Sequence, residues 1–311
     1  MKKILLLALF IFFAGCSRTE TEDAPIRVAA IRGPTAMGLL PLMNEGVHEF
    51  ELLGSPDLVP PLLVQNSVDI AVVPGNLASI LYNRMNNVQA FAVVTLGVLH
   101  VVDASDTIYL IEDLAGRTIF LQGPGATPEY ALNYVLTQNG LIPGEDVFLE
   151  FRSEHSEIAA MIQTGHAEIA LLPEPFVSTV LSQINGTRAA LDLTQEWNRV
   201  QPDYGLIMSV AVARRDFVEQ NPDALAAFME EYAASVAFVN SNIAETAQLA
   251  VDFELIPNIA IAEAAIPRAN IVFITGEEMR QNLLGFYGVL LEAEPESIGG
   301  ELPEENFFFR N

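Results

Sequence analysis

The chain has 311 residues and carries 40 Asp and Glu against 15 Lys and Arg, for a net charge of −25. So acidic a balance excludes nucleic acid as a partner, because binding a polyanion needs clustered basic side chains. The single cysteine excludes an internal disulfide, so the fold must rest on its apolar core, and the length exceeds what one such core normally serves.

The N-terminus reads as an export signal. Lys2 and Lys3 form a charged start and Ile4 to Phe13 an apolar run, too short for the roughly 20 residues a spanning helix needs. Phe13-Ala14-Gly15-Cys16 resembles the lipobox of bacterial lipoproteins, with Phe13 where Leu is usual. The resemblance implies that residues 1–15 are removed and that the Cys16 thiol carries a diacylglycerol, giving an exported chain anchored to the membrane by lipid. The alternative is an ordinary secretory signal with an incidental cysteine. Lys2 and Lys3 are the only lysines, so losing both takes the net charge from −25 to −27 and leaves arginine as the sole strong base. A surface of this kind repels itself and is screened by salt, which suits saline or alkaline surroundings.

Residues 16–25 are polar and read as a tether. Ile26 to Ile31, Phe50 to Leu53, Val68 to Val73 and Ala90 to Leu96 read as strands with helical segments between them; near-continuous apolar strands indicate a largely parallel sheet. The plan then repeats with Thr118 to Leu121, Val147 to Phe151 and Ile169 to Leu172. The echo is visible in the residues. Arg27-Val28-Ala29-Ala30-Ile31-Arg32-Gly33-Pro34 is matched by Arg117-Thr118-Ile119-Phe120-Leu121-Gln122-Gly123-Pro124, and Val68-Asp69-Ile70-Ala71-Val72-Val73-Pro74 by Ala167-Glu168-Ile169-Ala170-Leu171-Leu172-Pro173. Both members of the second pair lead into helical stretches, Leu77 to Met85 and Phe176 to Gln183. Two similar α/β lobes with a cleft between them are expected. Thr127 reads as an N-cap with Pro128 at the first helical position. Gly205 to Ala213 is a strand returning to the first lobe, and helices over Pro222 to Asn240, Ile243 to Phe253 and Glu277 to Glu292 add to it. The expected division is 26–100 with 208–311 as lobe 1, and 101–207 as lobe 2.

In open α/β sheets ligands bind beyond the carboxyl ends of the strands, beside helix N-termini. That rule selects Gly33, Thr35, Ser55, Asn76 and Thr95 in the first lobe, and Gln122, Gly123, Gly125, Thr127, Arg152, Ser153 and Glu174 in the second. Structural alternatives stand beside them: the glycines can be turn punctuation, Asn76 and Thr127 helix caps, Glu174 a cap of its own helix, and Arg152 a partner of Glu150 or Glu154. Tyr130, Phe176, Trp197 and Tyr204 can stack on a ring or belong to the core. His48, His100, His155 and His166 show no metal-ligand spacing, His155 reads as a solvated loop residue, and phosphate-loop, dinucleotide and nucleophile-elbow motifs are absent. No catalytic set, metal or cofactor is expected.

Taken in order, the lipobox, Gly33-Pro34-Thr35-Ala36-Met37-Gly38, Asp69-Ile70-Ala71 running into Pro74, Gly123-Pro124-Gly125, Leu172-Pro173-Glu174-Pro175-Phe176 and the ending from Gly299 to Phe309 resemble the solute-binding lipoproteins of bacterial ABC importers. The similarity is to the branch that includes nitrate, sulfonate, taurine and thiamine-pyrimidine binders. It implies a type II periplasmic-binding fold with two crossing segments, near Gly97 to Asp103 and Tyr204 to Ala213, ligand held at the loops above, and a membrane permease as partner of a monomeric receptor. Pro41 departs from the pattern, and is tolerated if the helix holding it starts late enough to put it in the first turn. An enzyme on the same fold and a sensory or adhesive lipoprotein are the other readings. Few bases lie near strand ends, Arg32 and Arg152 alone, which favours a neutral or ring-bearing organic solute.

Overall fold

The computed structural model describes residues 24–310. The leader, Cys16 and nearly all of the tether lie outside the described residues. The first lobe opens with β1 (Arg27–Ile31), α1 (Pro34–Met37), α2 (Leu40–Glu45), β2 (Glu49–Leu53), α3 (Val59–Val64), β3 (Ile70–Pro74), α4 (Gly75–Met85) and β4 (Val88–Leu96). The second holds β5 (Leu99–Asp103), β6 (Thr118–Gln122), α5 (Thr127–Gln138), β7 (Phe148–Arg152), α6 (His155–Gln163), β8 (Ile169–Pro173), α7 (Phe176–Gln183), β9 (Arg188–Asp192) and α8 (Leu193–Val200). The chain then returns through β10 (Ile207–Arg214), α9 (Arg215–Gln220), α10 (Pro222–Ser241), α11 (Ile243–Asp252), α12 (Ile259–Ala265), β11 (Ile271–Ile274) and α13 (Gly276–Ala293).

The two sheets share one plan. The first runs β11-β4-β10-β3-β1-β2 and the second β7-β6-β8-β5-β9. In each, three strands pair in parallel, β2-β1-β3 and β7-β6-β8. One reversed strand, β10 or β5, then pairs antiparallel on both sides. The duplicated motifs occupy equivalent strands, β1 with β6 and β3 with β8. The reversed strand of each sheet comes from the other half of the chain: β5 enters the second lobe straight from β4, and β10 enters the first straight after α8. The crossing segments are therefore short, 97–98 and 201–206, and β5 begins at Leu99, two residues before the expected start of lobe 2 at 101.

Local chemistry explains the boundaries. Pro41 sits in the first turn of α2, where its missing N–H costs nothing, and the chain breaks between α1 and α2 to put it there. Gly97 lies at the first crossing, and a Cβ there would collide with the Thr194 side chain at the start of α8. Tyr204 lies in the second crossing with its ring against Gly285 of α13, which likewise has no room for a side chain. Trp197 is wholly buried between Tyr134 of the second lobe and Phe286 of the first, with ring centroids 4.9 and 5.9 Å away, and its indole N–H donates to the Tyr204 carbonyl at 2.8 Å. One apolar cluster therefore runs through both lobes on this side, and Trp197 belongs to it, while Tyr204 is an exposed residue of the crossing; neither lines the cleft.

Asp103 closes β5 and is wholly buried. Its carboxylate accepts from the Ser105, Thr107 and Ile108 backbone N–H groups at 2.8, 2.8 and 2.9 Å, from the Ser105 hydroxyl at 2.7 Å, and from Arg188 at 3.0 Å. Burial works against its charge, but these donors together hold its pKa below the ordinary carboxylate value. A depressed folded pKa means stability that is complete above the unfolded value near 4 and is lost as pH falls below it. Asp103→Asn is expected to cost about 3 kcal/mol in denaturant unfolding near pH 7, because it removes the charge from a buried, fully bonded group. The difference from the native chain should shrink on acidification below about pH 4.

Candidate functional site

The carboxyl ends of β1, β2 and β3 face those of β6, β7 and β8 across the lobe boundary, because both sheets are built to one plan. Between them lies a cavity of about 290 Å³, at the small end of the roughly 300–1,000 Å³ of ligand pockets. Its walls are largely apolar, with Ile31, Pro56, Val98, Leu99, Phe176 and Met208 among them. Its polar lining is sparse and consists of Thr35, Gln122, Thr127, Ser156 and Ser209, with Arg32, Glu154 and His155 as the titratable members.

The residues selected by strand-end reasoning divide into three groups. Thr35, Gln122 and Thr127 line the cavity. The Thr35 hydroxyl lies 3.1 Å from that of Ser209, and the Gln122 amide donates to the Ser153 carbonyl at 3.0 Å, which uses the Ser153 backbone rather than its hydroxyl. A second group shapes the rim. Gly33 caps α1 at φ +112°, a conformation that favours glycine, and Gly123 bonds back to the Arg152 carbonyl at 3.2 Å. Ser55 sits between the lining residues Gly54 and Pro56, its hydroxyl donating to the Asp57 carboxylate.

The third group is turned elsewhere. Arg152 lies over the Phe120 ring at 5.0 Å and bonds Glu150 at 3.3 Å, on a separate groove of the second lobe. Thr95 is buried in β4 beside β10. Asn76, Gly125 and Glu174 meet the opposite lobe. The Thr127 hydroxyl donates to the Asn76 side-chain oxygen at 2.9 Å, and the Asn76 amide donates to the Gly125 carbonyl at 3.3 Å. Thr127 does not cap α5 as expected. Ala126 occupies the cap position without a side-chain bond, since the Thr127 hydroxyl is committed across the lobe boundary. Glu174 accepts from the Ser178 N–H at 3.1 Å, capping its own helix with one oxygen, while the other faces Arg268 of the first lobe at 3.6 Å.

Sequence reasoning passed over Met208 and Ser209. They sit at the start of β10, and only the antiparallel pairing of Ser209 with Pro74 brings them to the cleft. It also misjudged His155, which is not a solvated loop residue but the first residue of α6, its ring 5.0 Å from that of Phe176. The imidazole keeps some surface toward the cavity, yet protein surrounds it, its Nδ1 is buried without a partner, and burial pushes its pKa down to about 4. Its position three residues after β7, at a helix start, was the available signal. Among the described residues no group of three or more His, Cys, Asp and Glu is placed to hold a metal ion.

Two matched α/β lobes, two short crossings and a partly open cavity at facing strand ends define a two-lobed binding protein of the type II periplasmic class. The family model described as "ABC transporter, phosphonate, periplasmic substrate-binding protein" matches residues 61–237, more than half of the chain, and the chain belongs to that family. It is thus an extracytoplasmic solute-binding component of an ABC importer. An ABC transporter protein from Parabacteroides distasonis has a similar structure at a TM-score of 0.78 and 23% identity, with 93% of this chain and 99% of that one covered. The aliphatic sulphonate binding protein SsuA from Escherichia coli has a TM-score of 0.70 at 14% identity, covering 89% and 96%. The nitrate-binding protein NrtA from Synechocystis PCC 6803 has a TM-score of 0.65 at 15% identity, covering 89% and 84%. No curated protein matches the chain. Among the described residues no helix is long and apolar enough to cross a membrane.

The position of His155 carries a pH consequence. A base whose folded pKa is lowered stays neutral in the fold while the unfolded chain takes up a proton near 6.5, so its contribution to stability is complete above that value and is lost as pH falls toward 4. His155→Phe should flatten the decline in melting temperature between pH 6.5 and 4 relative to the native chain, as read by calorimetry; an unchanged slope would show that the ring is hydrated.

Proposed function

We propose that the cavity between the lobes captures a small organic solute, that the lobes close over it, and that the loaded form is presented to the transmembrane subunits of an ABC importer. The observation that supports this most is the cavity's make-up, apolar walls with a few hydroxyl and amide groups at facing strand ends. Such a lining takes up an apolar body by excluding water and orients it by hydrogen bonds. Thr35, Ser209, Gln122 and Ser156 are the proposed orienting groups, while Thr127 lines the cavity with its hydroxyl committed to Asn76. Gly33, Gly123 and Ser55 shape the rim.

The charge balance favours an uncharged or ring-bearing solute. Arg32 is the single arginine of the lining and Glu154 shares that lining, so a phosphonate or sulfonate would meet one cation offset by one anion. His155 beside Phe176 offers a ring surface on which a flat solute can lie. No bond is made or broken in this reading. Belonging to a family of binding proteins supports it, as does a lining without a paired nucleophile and base.

We further propose that Cys16 carries the lipid that holds the protein, as a monomer, at the outer face of the cell membrane. The lipobox-like residues Phe13 to Cys16 support this. Cys16→Ala should move the protein from the membrane fraction to the soluble one, and the native protein's mass should exceed that of residues 16–311 by its acyl chains.

A melting screen tests the ligand reading. Any solute at 100 times its Kd adds about 2.7 kcal/mol, a rise of several degrees for a protein of this size. Uncharged ring compounds are expected to give that rise, and Ser209→Ala to weaken their binding about tenfold. Shifts confined to phosphonates or sulfonates would overturn the neutral reading, and turnover of a hit, seen by mass spectrometry, would make the protein an enzyme.

A further inference from the structure

Two polar contacts join the lobes on different helix pairs, and neither lines the ligand cavity with its joining group. On one flank, Asn76 at the start of α4 is buried. Its amide donates to the Ser297 carbonyl of its own lobe at 3.1 Å and to the Gly125 carbonyl of the other at 3.3 Å, and its oxygen accepts from Thr127 at 2.9 Å. On the other flank, where α7 packs against α12, the wholly buried Glu174 has one oxygen satisfied by its own helix. The second oxygen has no hydrogen-bond partner and lies 3.6 Å from the half-exposed Arg268.

We propose that Asn76 with Thr127, and Glu174 with Arg268, are paired clasps whose formation sets the balance between open and closed lobes, making these four positioning residues rather than ligand contacts. The chemistry suits a contact that must form and break. A buried amide or carboxylate needs partners or a compensating charge, and part of that need is met from the opposite lobe, by Thr127 and the Gly125 carbonyl for Asn76 and by the Arg268 charge for Glu174. When the lobes part, water replaces those partners at little net cost, whereas an apolar patch of the same area would resist exposure. Polar clasps therefore hold closure near balance, so that a solute's modest binding free energy decides the outcome. Their duplication on two flanks favours a symmetrical closing movement over a twist.

The inference takes from the capture reading only that the lobes close, and its test needs no solute. In a Cys16→Ser chain, nitroxide labels at Leu58→Cys and Glu157→Cys report the distance between the two rims, since each residue follows a lining residue of its lobe by one or two positions. Pulsed electron resonance on the unliganded protein is expected to give a dominant short distance. Asn76→Ala and Arg268→Ala should each raise the long-to-short ratio about tenfold, equivalent to about 1.4 kcal/mol, and the two should multiply because the sites are separate. Thr127→Ser should keep the short distance while Thr127→Val loses it. The valine preserves bulk without the hydroxyl and the serine keeps the hydroxyl, and far-ultraviolet dichroism confirms the fold. Unchanged distances in Asn76→Ala and Arg268→Ala, equal behaviour of Thr127→Ser and Thr127→Val, or a long distance in the parent chain would each overturn the proposal. Failure of the capture reading shows differently, as distances that respond to these substitutions in a protein whose melting no solute shifts.

Discussion

The exchange of one strand between the halves of the chain is the constraint on which this molecule depends. A sheet of three parallel strands buries its apolar faces under helices but leaves β3 and β8 as open edges; β10 covers the first and β5 the second, each supplied by the other half. Antiparallel pairing satisfies the backbone groups along those edges and at the same time aims the ends of both sheets at one another. The cleft is a geometric result of this exchange. So are the short crossings, where Gly97 and Gly285 leave room for Thr194 and Tyr204 to pack directly against backbone.

That arrangement divides labour between the flanks of the lobe boundary and its centre. On the crossing side, Trp197 binds Tyr134 and Phe286 into one continuous core, which keeps the hinge together as a unit. The proposed clasp residues are polar, and each faces a polar or charged group of the other lobe, Thr127 for Asn76 and Arg268 for Glu174. The centre is an apolar cavity with a handful of hydroxyl and amide groups. Apolar burial serves where the contact must persist, and hydrogen bonds that water can replace serve where it must break. Shape with few fixed donors serves where one solute must be told from another.

Charge acts at a different level. Most of the described arginines lie against carboxylates, as with Arg27 and Asp69 at 2.6 Å or Arg188 and Asp103 at 3.0 Å. Arg32, at the cavity, reaches only the Glu254 carbonyl at 3.5 Å. The lining itself holds one arginine, Arg32, and one glutamate, Glu154, so the acidic balance of the whole chain is not repeated at the cavity.

Much of the architecture was legible in the residues. The paired runs around Gly33-Pro34 and Gly123-Pro124, and around Ile70 and Ile169, have the periodicity of buried parallel strands, and periodicity is a local property of the chain. Thr35, Gln122 and Thr127 were reachable by the same logic, because a strand's carboxyl end is marked by its own sequence. The strands β9 and β11 were not, since β9 is of mixed polarity and β11 only four residues long, and each becomes a strand only because a neighbour offers an edge. Met208, Ser209 and His155 reach the cavity through long-range pairing and packing. The local sequence by itself determined the two-lobed plan and the strand-end loops. Tertiary structure alone decided that Asn76 and Glu174 face the other lobe instead of the cavity, that Arg152 turns outward, and that β10 completes the site, because side-chain direction across a boundary depends on partners far away in the chain.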